Sequence, residues 1–176
     1  MNLIYLTSKK YPSKTADHFF VGEMAKAYGK ILGKEFVLVV ASDKSDFFKN
    51  IRVVETEINK ERGRALYYLL WLPFFVIKNL YNNADTIFFS NDPNLLVDLI
   101  LLRKICRFKY KICSEWHMLY DDWRDRFIVQ GSDCLVATSR KLKRTILQRT
   151  GLDIQDERFK VVYGGVNVEK YGGHSP

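Results

Sequence analysis

An α/β fold, with a parallel sheet covered by helices on both faces, is what the sequence predicts, and three observations predict it. Short β-branched runs alternate along the chain with longer segments whose apolar residues recur at helical spacing. Those short runs are apolar throughout rather than alternating with polar residues, as in strands buried on both faces. Apolar residues make up 47% of the 176-residue chain, enough for one domain with a true core.

Taken in order, Leu3–Leu6 reads as the first buried strand, and a polar loop follows it. A helix begins near Thr15, where Val21, Met24, Ala25, Tyr28 and Leu32 fall on one face before the stop signal Gly33. Phe36–Ala41 is a strand and Ile51–Val54 a weaker one. Arg62–Tyr81 reads as a long helix with a kink at Pro73. It is apolar nearly all round, which suits burial in the core, although its aromatic block also suits a membrane interface. Thr86–Phe89 is a strand, after which Asp92-Pro93 opens a helix bearing Leu95, Leu96, Leu99, Ile100 and Leu102. Tyr110–Cys113 is the next strand and Asp121–Gln130 a short helix ended by Gly131. Cys134–Ala137 is a strand, Ser139 caps a helix to Arg149, and Phe159–Tyr163 is the last strand.

The net charge of +8 favours anionic partners such as phosphates or acidic lipid. No zinc, RNP or recognition-helix signature points to nucleic acid. The three cysteines, Cys106, Cys113 and Cys134, lie in apolar runs without a CxxC pair, so buried free thiols in a reducing cytosol are expected. The longest apolar stretch, Ala65–Ile77, is too short for a bilayer, which takes roughly 20 residues. No secretory leader is legible.

Parallel sheets bind ligands at the carboxyl ends of their strands, so those loops hold the candidate chemistry. The loop from Thr7 to Asp17 places Lys9, Lys10 and Lys14 before a helix N-terminus, which suits an anion or serves as an ordinary cap. No GxGxxG accompanies it, which argues against a nicotinamide or flavin dinucleotide. Asn91 and Asp92 can accept from sugar hydroxyls or cap the next helix. Ser114, Glu115, Trp116 and His117 read as a loop after Cys113, bringing together a carboxylate, an indole and an imidazole. An indole face suits sugar C–H surfaces, and Glu and His can hydrogen-bond hydroxyls or carry charge near a reacting centre. The alternative is a Trp that plugs the sheet beside a hydrogen-bonded His. Asp121, Asp122 and Asp125 fit DDxxD, a magnesium pattern, but read more simply as acidic residues opening a helix. Arg140, Lys141, Lys143, Arg144 and Arg149 form a basic helix, either a solvated face or a contact for anionic lipid.

Four segments together carry a family resemblance. They are the opening from Leu3 to His18 with Met24–Ala27, the strand Asp85–Phe89, the strand and helix start Asp133–Arg140, and the ending Lys160–Tyr171 with its Gly164-Gly165-Val166-Asn167 turn. In this order they resemble the N-terminal lobe of a retaining glycosyltransferase of the family 4 type, a Rossmann-like single lobe of a GT-B architecture. Two departures stand out: Ser13-Lys14-Thr15-Ala16 replaces a frequent glycine pair, and Asn167 stands where Asp is usual.

The resemblance implies that residues 1–171 form an acceptor-side domain and that 172–176 begin a linker or tail. The opposite, donor-holding lobe would lie beyond this chain. It implies a sugar moved from a nucleotide-sugar co-substrate to a glycan or lipid-linked acceptor, with no cofactor held by this lobe and no turnover from it alone. His117 matches a strand-end His near the reacting sugar. Asp92, Asn91, Glu115, Trp116, His18 and Lys14 are the acceptor-side candidates, and Ser139, Arg140, Gly164, Gly165 and Asn167 the donor-side ones. A cytoplasmic location, with contact at the inner membrane face, is the matching expectation. A free-standing α/β binding module for a phosphorylated small molecule is the competing reading.

Overall fold

The computed structural model describes residues 1–10, 16–41, 52–55, 64–81, 85–153 and 156–163, and their side chains except at 9–10, 16–20, 41, 55, 64–70 and 80–81. Its strands are β1 Asn2–Lys10, β2 Phe36–Ala41, β3 Arg52–Glu55, β4 Thr86–Ser90, β5 Lys111–Trp116, β6 Cys134–Ala137 and β7 Phe159–Val161. Its helices are α1 Ala16–Leu32, α2 Arg64–Tyr81, α3 Pro93–Cys106, α4 Trp123–Gly131 and α5 Arg140–Thr150, with a 3-10 turn at Gly33–Glu35. The seven strands form one sheet in the order β3-β2-β1-β4-β5-β6-β7, every neighbouring pair parallel. This is a Rossmann-like α/β sheet of the kind that forms a single lobe of GT-B proteins, as the sequence predicts.

The handedness of parallel crossovers decides which face each helix covers. From β1 the chain steps outward to β2, and after β3 it returns and steps the other way through β4 to β7. Right-handed connections therefore put α1 on one face and α2, α3, α4 and α5 on the other. The two cores agree. Val21 and Ala25 of α1 pack with Tyr5, Phe36, Leu38, Val40 and Phe89, and Met24, Tyr28 and Leu32 lean on them. Leu72, Leu99, Ile128 and Ile146, one from each remaining helix, share the larger core with Ile4, Phe88, Ile112 and Leu135. Each fully buried side chain of this size stabilises the fold by about 1.5–3 kcal/mol.

Local signals explain the helix ends. Asp92 caps α3 by accepting from Asn94 N and Leu95 N, with Pro93 in the first turn. Ser139 caps α5 by accepting from Leu142 N, and Gly151 closes that helix in the left-handed region at φ 72°. Gly131 ends α4 for a packing reason, since a Cβ there would lie 2.6 Å from Ile100 side-chain atoms. The helix α2 continues through Pro73, burying Leu72, Phe75 and Val76 while Phe74 and Ile77 stay exposed. Burial along its described part is thus one-sided, although the exposed side carries the apolar Phe74 and Ile77. Among the described residues no helix is long and apolar enough to cross a membrane.

Three readings of the sequence need correction. The strand β1 does not end at Leu6 but runs to Lys10, so Thr7–Lys10 belong to it and not to the loop. The strand β5 does not stop at Cys113 but runs on to Trp116, where it still pairs with β6. The cysteines are free, but Cys106 is exposed, and Cys113 and Cys134 are half-buried rather than enclosed.

Candidate functional site

The border between β1 and β4 is the switch point of the sheet, where the chain's outward steps reverse. In open parallel sheets, such a point is where connections diverge to opposite faces and a ligand crevice forms at the carboxyl ends of the strands. Leu6 of β1 faces Ser90 of β4 in register. Ser90 Oγ donates to Leu6 O at 2.8 Å and accepts from Asp92 N at 3.0 Å. Asp92 Oδ1 accepts from Asn94 N at 2.9 Å, while Oδ2 accepts from Ser8 Oγ. One carboxylate therefore caps α3 and ties β1 to β4. Asn91 contributes its carbonyl, which accepts from the Tyr120 hydroxyl at 3.0 Å.

Beside this crevice, the pleat of β5 sorts the side chains that the sequence reading grouped as a loop. Alternation along a strand sends Ile112, Ser114 and Trp116 to one face and Cys113 and Glu115 to the other. Trp116 accordingly sinks into the larger core, 1% exposed, and its indole Nε1–H donates to Ser114 Oγ at 3.0 Å. Its faces are covered, so the expectation that Trp116 offers a stacking surface to an acceptor gives way to the plug. The reason is the three extra strand residues, Ser114 to Trp116, which turn the indole inward.

Glu115 points to the α1 face and is 6% exposed. Among the described residues no hydrogen bond reaches its Oε2, and the imidazole Nε2 of His117 lies 3.5 Å from it. His117 itself stands just past the strand end, with its side chain 37% exposed. Two tyrosines border this carboxylate. Burial, then the Glu115 charge, pushes the Tyr28 phenol up to about 12. Burial, with Asp92 and Asp125 adding, pushes Tyr120 up to about 12 as well. Both therefore stay protonated, as donors, through the neutral range.

The three aspartates of the DDxxD pattern do not converge. Asp121 pairs with Arg149 of α5. Asp122 caps α4 and is held by Arg124, with Nη2 to Oδ2 at 2.6 Å, which lowers the Asp122 carboxyl. Asp125 turns inward to accept from Tyr120 N at 3.1 Å and Asp121 N at 2.9 Å, and burial raises it. Arg124 also reaches Asn94 Oδ1 at 2.9 Å and lies over the Tyr120 ring, so it fastens α4 to the start of α3. No group of three metal-ligating side chains occurs among the described residues.

Of the remaining candidates, Ser139 is a helix cap and Arg140 is exposed in the first turn of α5. His18 lies in α1, but its side chain is outside the described residues, as are Lys14, Gly164, Gly165 and Asn167 altogether. The structure thus assembles Ser8, Asn91, Asp92, Glu115 and His117 along one rim. Tyr28 and Tyr120 were missed by the sequence reading. Tyr28 read only as a core position, and Tyr120 lies between the two stretches that drew attention. Met118 and Trp123, 61% and 65% exposed, add apolar surface beside the same rim.

The sequence matches no protein-family model, and no curated protein matches it. Solved structures do resemble the fold. HepE (Alr3699) of Anabaena, solved in complex with UDP, superposes with a TM-score of 0.64 at 17% identity, covering 97% of this chain and 46% of that one. The lipopolysaccharide outer core galactosyltransferase WaaB gives 0.65 at 15% identity, covering 96% and 47%. Sucrose-phosphate synthase (tll1590) from Thermosynechococcus elongatus gives 0.63 at 13% identity, covering 97% and 92%. The chain therefore spans about half the length of the HepE and WaaB chains it matches, and what these likenesses establish is a glycosyltransferase-like fold.

Proposed function

We propose that residues 1–171 are the acceptor-side lobe of a retaining glycosyltransferase that moves a sugar from a nucleotide-sugar to a glycan or lipid-linked acceptor. One observation carries this reading: a buried carboxylate oxygen, Glu115 Oε2, with no hydrogen bond from the described residues, beside the half-exposed imidazole of His117 at the carboxyl rim. A buried carboxylate needs donors, and a sugar presents several hydroxyls. Asp92 and Asn91 border the same crevice, and their backbone and carboxylate groups are already fixed by α3, β1 and Tyr120. A rigid rim of this kind orients an acceptor at little entropic cost.

Support for a nucleotide-sugar donor comes from the structural neighbours, since HepE has been solved with UDP and with UDP-glucose. The coverage of about half of HepE and WaaB supports a second lobe of comparable size facing this rim. In this reading the donor's nucleotide lies mainly on that lobe. His117 sits near the transferred sugar, and Ser139, Arg140, Gly164, Gly165 and Asn167 lie toward the donor side.

The test is sugar transfer by the two-lobed protein from a panel of radiolabelled nucleotide-sugars, alongside donor calorimetry. His117→Ala is expected to lower transfer about a hundredfold while donor affinity stays within about twofold. Full transfer by that variant would remove His117 from the site. Absence of transfer across the panel, with tight binding of a phosphorylated small molecule by the 176-residue chain alone, would favour the binding-module reading instead.

A further inference from the structure

The described residues cover the α1 face of the sheet only in part. Among the described residues, α1 packs against β1 and β2, while α3, α4 and α5 all lie on the opposite face. Over β5 and β6 this leaves a strip of half-buried side chains, and two of them are thiols. Cys113 of β5 and Cys134 of β6 are direct partners in the parallel register. Both point to the α1 face, because their neighbours Ile112 and Leu135 point to the larger core. Neither is bonded to another cysteine, and the third, Cys106, lies at the far end of α3.

We propose that Cys113 and Cys134 form a peroxide-sensitive dithiol that closes into a cross-strand disulfide. Neighbouring strands lie about 4.8 Å apart. Disulfides span Cα separations of about 4.4–6.8 Å. Register partners on one face therefore meet the distance requirement without rearranging the sheet. The two thiols are also chemically unequal. Cys134 is lowered toward the thiolate by a hydrogen bond from the Cys113 thiol, and the Lys160 ammonium adds to this against burial and Asp133. Cys113 is raised by donating that bond, by burial and by Glu115. Tyr28 of α1, held protonated, is the remaining titratable group that senses the pair.

The chemistry follows from that asymmetry. The Cys134 thiolate attacks one oxygen of hydrogen peroxide; an S–O bond forms, the O–O bond breaks, and the departing hydroxide takes a proton to become water. Sulfur is oxidised by two electrons and peroxide reduced by two. Cys113 then attacks the Cys134 sulfenic acid; the S–S bond forms, the S–O bond breaks, and the hydroxide leaves with the Cys113 proton as a second water. Two thiols and one peroxide give one disulfide and two waters.

The test is mass spectrometry of the native 176-residue chain after brief peroxide treatment and alkylation. The expected result is a Cys113–Cys134 linked peptide lacking two hydrogens, reversed by dithiothreitol, with Cys106 still alkylated and the free thiols falling from three to one. The same treatment in urea should give mixed pairings that include Cys106, which establishes that the fold selects the pair. Cys113→Ser, which keeps a hydroxyl donor beside Cys134 but cannot form a disulfide, should instead accumulate a dimedone-trapped sulfenic acid at Cys134. Retention of all three thiols, links through Cys106 in the native chain, or a stable Cys134 sulfenic acid in the native chain would each overturn the proposal.

Discussion

At the amino rim of the sheet, below β5 to β7, charged groups are tied down; at the carboxyl rim, the buried carboxylate of Glu115 keeps one oxygen that no described donor reaches. Arg103 of α3 donates to Tyr110 O at 3.1 Å, to Gly131 O at 2.5 Å and to Asp133, whose carboxylate also accepts from Ile112 N at 2.8 Å. Arg158 donates to Ser132 O at 2.9 Å and pairs with Asp156 at 2.6 Å. Tyr110 OH donates to Leu99 O, and Ser132 Oγ to Ile128 O. These contacts join α3, α4 and the starts of β5, β6 and β7 into one closed network. The opposite rim combines saturated groups, Ser90 and Asp92, with a buried carboxylate oxygen that no described donor reaches. Polar groups that satisfy one another add stability, whereas a buried oxygen without a donor costs it.

Substitutions can break that contrast. The largest effect is expected inside the carboxyl rim itself. Trp116→Ala should cost about 3–5 kcal/mol in urea unfolding, because it empties a core position rather than a binding surface. A loss below about 1 kcal/mol would mean that the ring is not the plug described here. Next comes the amino rim. Arg103→Met removes three hydrogen-bond acceptors' donor at once and should cost about 2–3 kcal/mol, with sugar transfer by the folded two-lobed protein unchanged. Loss of transfer at unchanged stability would erase the division between the rims.

The smallest effect sharpens the comparison through pH. Asp98, in α3 beyond the cap, is pushed up to about 6 by burial and then by Asp92. Its folded value lies above its unfolded value of about 3.9, so its contribution to stability is fully present below that point and is lost as pH rises through about 6. Asp98→Asn should therefore match the parent near pH 4 and exceed it by about 1–2 kcal/mol at pH 7.5, allowing for solvent screening of a partly exposed group. Urea midpoints at the two pH values check this, and a difference that ignores pH would exclude the carboxylate as its source.

Much of the fold was legible because it depends on one-dimensional patterns. Apolar runs of strand length, the helical spacing of Val21, Ala25 and Tyr28, the Asp92-Pro93 opening and the Ser139 cap are each set by near neighbours, and the structure has them all. The candidate site was legible only in outline. Ser114–His117 drew attention as a cluster, but its members divide because β5 continues three residues past the apparent strand end through its pairing with β6. That pairing involves residues about twenty apart in the chain, and no local signal in β5 reports it. The same holds for Tyr28, which becomes a neighbour of Glu115 only when α1 lies against the sheet.

By itself, then, the sequence determined a parallel α/β fold, the order of its elements and its helix caps, since propensity, period and capping act within a few residues. The tertiary structure alone decided that Trp116 is core while Glu115 points to the α1 face, that Asp121, Asp122 and Asp125 part company, and that Cys113 meets Cys134. In each case the deciding force is strand register or helix docking, a long-range pairing that fixes which way a side chain points.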